Sequence, residues 1–182
     1  MKLLLTSTGL KSKVFKDEFL RNVGRDISQV KVIFVPTAAN DDEAKALLPS
    51  CKADLTNLGI LESNLLVYDL DYELPFDEGS QYDAIYFCGG STKYLLERIN
   101  AIGFSETLRK LLDNGMYFVG VSAGSKICGD NYGGNLGYLH RNIELHCNEG
   151  SPLGRVHDNN TIFLTNTQAL KICDDYWEII GE

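Results

Sequence analysis

The strongest constraint on the fold is an alternation of short apolar runs with stretches of helical period. Lys2 to Leu5, Val30 to Val35, Leu65 to Leu70, Ala84 to Phe87 and Met116 to Val121 are rich in Val, Ile, Leu, Tyr and Phe and read as buried strands. Between them, Val14 to Val23 carries Phe15, Phe19, Leu20 and Val23 at helical spacing. Asp41 to Leu58 opens with acidic residues and meets Gly59 as a C-terminal cap. A further block, Phe104 to Asn114, starts beside Ser105 as an N-cap and stops at Gly115, where positive φ is tolerated. Strand-helix alternation of this kind predicts an α/β fold with right-handed crossovers, a mostly parallel sheet covered on both faces, and ligand sites outside the carboxyl ends of the strands.

At 182 residues the chain is read as a single domain spanning residues 1–182, with no room for a second of full size. The 44% hydrophobic and 23% charged residues are those of an ordinary globular protein. A net charge of -8 argues against a nucleic-acid partner, because phosphate binding depends on clustered Lys and Arg. The opening Met1 to Gly9 has too short an apolar run for a signal-peptide core or a membrane span, so no membrane partner is expected. Cysteines at 51, 88, 128, 147 and 173 form no CxxC pair, which suggests free thiols and a cytoplasmic location.

After Ser122 the pattern changes. Gly129 to Gly137 is polar, glycine-rich and read as an active-site loop. Ile143 to His146, Thr161 to Leu164, Ala169 to Cys173 and Tyr176 to Ile180 look extended, with a hairpin turn at Asp174-Asp175.

The sharpest chemical signal is Val119-Gly-Val-Ser-Ala-Gly-Ser125, a strand that runs into G-x-S-x-G and then a helix. In a nucleophile elbow the serine sits on a strained turn that exposes Oγ, and the flanking glycines admit neighbouring chain too close for a side chain. A resting serine hydroxyl is a weak nucleophile and needs a base. His140, His146 and His157 are the available imidazoles. In Ile143-Glu-Leu-His146 the alternation sends Ile143 and Leu145 to the core and aims His146 to the opposite face, which favours His146. An oxyanion would need Ala123 N–H and a second donor. Gly89-Gly90, just after a predicted strand, offers one, with a phosphate cradle at a helix starting near Thr92 as its competitor.

Phe34-Val-Pro-Thr-Ala38, Phe87-Cys-Gly-Gly-Ser-Thr92, Gly120-Val-Ser-Ala-Gly124, the His146 segment and Leu164-Thr-Asn-Thr-Gln-Ala-Leu170 occur in the order seen in peptidase E. The chain therefore resembles the aspartyl dipeptidases of peptidase family S51, within the class I glutamine amidotransferase-like superfamily. This resemblance implies a three-layer αβα sandwich, Ser122 as nucleophile, His146 as base, Gly89-Gly90 in the oxyanion hole, no metal or organic cofactor, and small peptide substrates such as dipeptides with N-terminal aspartate.

The chain departs from that pattern in one place. Between Ser122 and His146 it is shorter than the better-known members and lacks the Thr-Asn-Asp type segment that bears an acid. Glu144, on the strand face of His146, Glu149, three residues beyond it, and Asp130 remain as candidates for a third triad member. Loss of that member can lower turnover about 10⁴-fold. An aspartyl side chain would call for a cation, for which Arg141, Arg155 and Lys126 are candidates. A zinc site from His140, His146, Cys147 and His157 matches no familiar spacing. Two other readings remain: a small esterase on the same elbow, and a noncatalytic small-molecule-binding protein with an incomplete triad.

Overall fold

The computed structural model describes residues 1–181. Strands β1 (Lys2–Thr6), β2 (Val32–Val35), β3 (Leu65–Val67), β4 (Ala84–Phe87) and β5 (Tyr117–Val121) form the parallel part of the sheet. Between them lie helices α1 (Lys13–Val23), α2 (Asp42–Thr56), α3 (Phe76–Gly79), α4 (Thr92–Ala101) and α5 (Phe104–Asp113). A one-turn helix α6 (Ala123–Lys126) follows β5. After it come β6 (Ile143–Glu144), β7 (Gly154–Arg155), β8 (Ile162–Phe163), β9 (Gln168–Cys173) and β10 (Tyr176–Gly181). The eight-stranded sheet runs β3-β2-β4-β5-β1-β9-β10-β7, and its last three strands are antiparallel. Strands β6 and β8 make a separate parallel pair.

The continuous apolar runs follow from burial on both faces of the sheet. Leu3, Leu5, Ile33, Val35, Ile85, Phe87 and Phe118 point to one core, which Leu95, Leu96, Leu108 and Leu111 of α4 and α5 close. Their neighbours Leu4, Val32, Phe34, Tyr86, Tyr117 and Val119 point the other way, onto Phe15 and Phe19 of α1 and Leu55 of α2. This period-two division makes three layers, helix, sheet and helix, as the resemblance implied. Each fully buried Leu or Phe adds about 1.5–3 kcal/mol relative to an exposed one.

The connections depart from the sequence reading in several places. The run expected over 65–70 stops at Val67, because Asp69 turns to accept from Thr37 Oγ1 at 2.8 Å and Leu70 takes φ 53°. Helix α5 begins at Phe104, with Gly103 in the left-handed region before it, so Ser105 lies inside the first turn and is not the cap. Extended structure ends at Glu144 rather than His146, whose φ is 57°. The hairpin forms as expected, with Cys173 paired to Tyr176 around Asp174-Asp175. All five cysteines are free. Among the described residues no helix is long and apolar enough to cross a membrane.

Candidate active site

The site lies at the carboxyl ends of β5, β4 and β1, at the centre of the parallel region. Strand β5 delivers Ser122, whose φ of 49° and ψ of -107° lie outside the regions a side chain ordinarily allows. Such a residue costs on the order of 1–3 kcal/mol and persists only when its surroundings fix it. Here Ser122 N–H donates to Thr6 C=O at 2.9 Å. Below it, the buried Ser125 hydroxyl donates to Thr6 C=O at 2.8 Å and accepts from Thr6 N–H at 3.0 Å. The glycines are required by contact: a Cβ at Gly120 would lie 2.5 Å from Gly124 C=O, and one at Gly124 would lie 2.5 Å from Phe87 C=O.

His146 reaches Ser122 from the other side. Its backbone N–H donates to Ser7 Oγ at 3.1 Å, and Ser7 Oγ in turn donates to Leu164 C=O at 3.3 Å, which ties the turn to the end of β1. The imidazole Nε2 lies 3.1 Å from Ser122 Oγ, and Nδ1 lies 2.8 Å from Asn166 Oδ1. An amide oxygen only accepts, so Nδ1 carries the proton and Nε2 presents its lone pair to the serine hydroxyl. Asn166 stands in the turn between β8 and β9, and its carbonyl accepts from Thr8 Oγ1 at 3.0 Å.

Two backbone segments, the start of α6 and the Gly89-Gly90 loop, stand beside Ser122. Ala123 N–H is the first of α6 and so has no partner within that helix. Gly89 packs on the nucleophile, where a Cβ would sit 3.2 Å from Ser122 Cβ. Gly90 has φ 138° and a Cβ there would lie 2.0 Å from Ala38 C=O, so only glycine fits. Ser91 caps α4 by accepting from Tyr94 N–H at 3.2 Å. Ser122, His146, Gly89 and Gly90 line one cavity of about 460 Å³, within the size range of small-ligand sites.

The carboxylates offered as a third triad member lie elsewhere. Glu144 accepts from Lys126 Nζ at 3.0 Å and Asn131 Nδ2 at 2.9 Å. Glu149 is exposed and borders a different cavity, with Arg155 and His157. Asp130 is exposed, and its backbone N–H donates to Arg141 C=O. The residue at Nδ1 is Asn166, a neutral amide inside the Leu164 to Leu170 motif, where the sequence pattern points to acids for this place. The 129–137 segment is likewise not part of the cavity lining. It folds back on α6, with Leu136 N–H donating to Ile127 C=O and Leu139 N–H to Cys128 C=O.

The candidate cations also point away. Lys126 pairs with Glu144, Arg141 stacks 4.4 Å from the Trp177 ring centre, and Arg155 stacks 5.3 Å from that of Tyr176. Among the described residues no three His, Cys, Asp or Glu side chains gather in a metal-binding group, and His140 and His157 are exposed. Cys51 also lines the cavity. A hydrogen bond with Cys88 holds its thiol below the ordinary value, while burial pushes Cys88 well above it.

Comparison with known proteins gives the family and the fold. The model of peptidase family S51 matches residues 3–135, a stretch that contains the elbow and the Gly89-Gly90 loop. An uncharacterized peptidase of Pasteurella multocida (strain Pm70) is 25% identical over 115 residues, 63% of this chain and 55% of its own length. One of Listeria monocytogenes is 28% identical over 100 residues, 55% of this chain and 49% of its own. The matched segment thus spans about half the length of these curated relatives. Among solved structures, a Listeria monocytogenes EGD-e protein assigned to peptidase E superposes with a TM-score of 0.73 at 21% identity, covering 100% of this chain and 98% of that one. A peptidase from an acI-B1 Actinobacterium gives 0.70 at 16% identity, covering 100% and 87%.

Proposed function

The chain belongs to peptidase family S51, and on that premise we propose that it is a serine peptidase that cleaves small peptides through an acyl-enzyme. The observation that carries this reading is the line Ser122 Oγ, His146 Nε2, His146 Nδ1 and Asn166 Oδ1, held at 3.1 and 2.8 Å. His146 Nε2 takes the hydroxyl proton as Ser122 Oγ attacks the peptide carbonyl. Negative charge then develops on the carbonyl oxygen, where Ala123 N–H and Gly90 N–H supply fixed dipoles. The imidazolium returns its proton to the leaving amine, and the C–N bond breaks. Water repeats the sequence on the ester, with His146 again as base, and frees the acid and Ser122. Asn166 orients the ring and fixes its tautomer without supplying a charge.

An N-terminal aspartate, the substrate implied by resemblance, would place a carboxylate in the cavity. Lys11 is the cation that lines it, and that ammonium already donates to Asp54 Oδ1 and to Ser50 Oγ, both at 2.7 Å. The decisive experiment for the catalytic reading needs no substrate. A serine-directed fluorophosphonate is expected to add once to the native chain, read by intact mass, and not to the Ser122→Ala variant. A folded native protein that gains no adduct would overturn it.

A further inference from the structure

We propose that the cavity selects peptides by their free α-ammonium group, with Glu43 as its anchor and an aliphatic first side chain packed on Ala44, Leu47 and Leu48. This inference rests on the peptidase reading and names its substrate class.

Three charged side chains, Lys11, Asp41 and Glu43, line the cavity together with the neutral imidazole of His146. Lys11 is bound to Asp54, a carboxylate only 6% exposed that also accepts from Leu10 N–H and Tyr86 O–H, both at 3.0 Å. Drawing Lys11 toward a substrate carboxylate would leave Asp54 as a buried charge without its cation, which is strongly unfavourable. Lys11 is therefore already neutralised. Asp41 caps α2, accepting from Ala44 N–H at 2.8 Å. That capping occupies the amino end of α2, where the backbone would otherwise favour an anion, and Asp42 and Glu43 follow it in the first turn. Glu43 is exposed and, among the described residues, has no ion-pair or hydrogen-bond partner. With Lys11 neutralised by Asp54, the carboxylates of Asp41 and Glu43 leave the charged lining net negative, which attracts cations and repels anions.

The apolar lining supplies the second half of the argument. Leu47 is 61% exposed, although it stands on the cavity wall beside Ala44 and Leu48. Leucine left in water next to a reactive serine is apolar surface that a bound side chain would cover. A cation-seeking carboxylate beside an aliphatic wall matches the amino end of a peptide such as Leu-X, with Ser122 on the same cavity to receive the scissile carbonyl. It matches N-terminal aspartate poorly, because a second carboxylate would face Glu43 with no free cation.

The test compares kcat/KM for leucine p-nitroanilide, its N-acetyl derivative and aspartate p-nitroanilide, with the native protein, Glu43→Gln and Glu43→Lys. The leucine substrate is expected to exceed both others by at least about tenfold. Glu43→Gln is expected to raise its KM about five- to tenfold with little change in kcat, and Glu43→Lys to move the preference toward aspartate. Equal use of the acetylated substrate, a preference for aspartate in the native chain, or an unmoved KM in Glu43→Gln would overturn the proposal. Calorimetric binding of Leu-Leu and Asp-Leu to the Ser122→Ala variant, with and without Glu43→Gln, reads the same preference without turnover. Tighter Asp-Leu, or no binding of either at millimolar concentration, would also overturn it. Fluorophosphonate labelling of the native chain separates these results from a failure of the catalytic reading.

Discussion

Replacing Asn166 by Asp changes one atom and one charge at the point where the ring of His146 is held. The side chains are nearly isosteric, so the 2.8 Å contact to Nδ1 can persist and the same tautomer is selected. What changes is the stabilisation of the imidazolium formed as Ser122 gives up its proton. With charge centres about 4 Å apart, the attraction is about 1 kcal/mol in water and about 4 kcal/mol at an effective dielectric of 20. His146 and Asn166 are both exposed, which places the gain near the lower end, about 1–2 kcal/mol. At about 1.4 kcal/mol per tenfold, Asn166→Asp should label with fluorophosphonate roughly 5- to 30-fold faster than the native chain. The gain should shrink at high salt, because an exposed pair is screened. Asn166→Ala removes a hydrogen bond to a group that becomes charged, worth about 1.5–3 kcal/mol, and should label roughly 10- to 150-fold more slowly. Second-order labelling rates under pseudo-first-order conditions measure all three. An Asn166→Asp rate no higher than native, or an Asn166→Ala rate no lower, would refute the role given to Asn166. A gain approaching 10⁴ would refute the orientation instead, since that is about the penalty when an amide presents N–H to the ring and forces the wrong tautomer.

Four further outcomes follow from the packing and ionisation of the fold. Gly124→Ala puts a Cβ 2.5 Å from Phe87 C=O and should lower stability by about 1–3 kcal/mol, read as a lower urea midpoint, with loss of labelling at Ser122. Gly133→Ala, where a Cβ meets nothing within 4 Å, should stay within about 0.5 kcal/mol of native. Cys51, half-buried on the cavity wall with its thiol held low by Cys88, should be the first cysteine alkylated by iodoacetamide as pH rises from 6 to 8, by peptide mapping. Preferential modification of Cys128, which burial pushes well above the ordinary value, would contradict this. Burial raises Tyr68 to about 12 and also raises Tyr86 and Tyr138. Because the folded value lies above the unfolded one, their contribution is complete below about pH 10 and is lost as pH rises through the folded values. Loss of far-ultraviolet dichroism should accompany tyrosinate absorbance near 295 nm. Full ionisation with the fold intact would count against it.

The layers were legible because strands buried on both faces leave a mark in composition. Ile33 and Phe34, or Ile85 and Tyr86, are apolar on consecutive positions and serve opposite cores. The elbow was legible for a steric reason, since Gly120 and Gly124 each stand where backbone leaves no room for a Cβ. His146 was found by alternation, yet its position depends on something alternation does not carry. The chain leaves the strand after Glu144, and a left-handed residue bonded to Ser7 makes the reach to Ser122. Asn166 was hidden by its own chemistry. An asparagine among threonines reads as turn material, which it is, and a neutral amide leaves no charge pattern in a sequence. Its role appears only when the β8–β9 turn is brought against Thr8, 158 residues from Asn166 in sequence, and that closure is set by the antiparallel pairing of β1 with β9. The same pairing explains why the shorter stretch between Ser122 and His146 does not leave the imidazole unsupported. Its support arrives from the other side of the sheet, through a strand hydrogen-bonded to the one that ends at the elbow's floor.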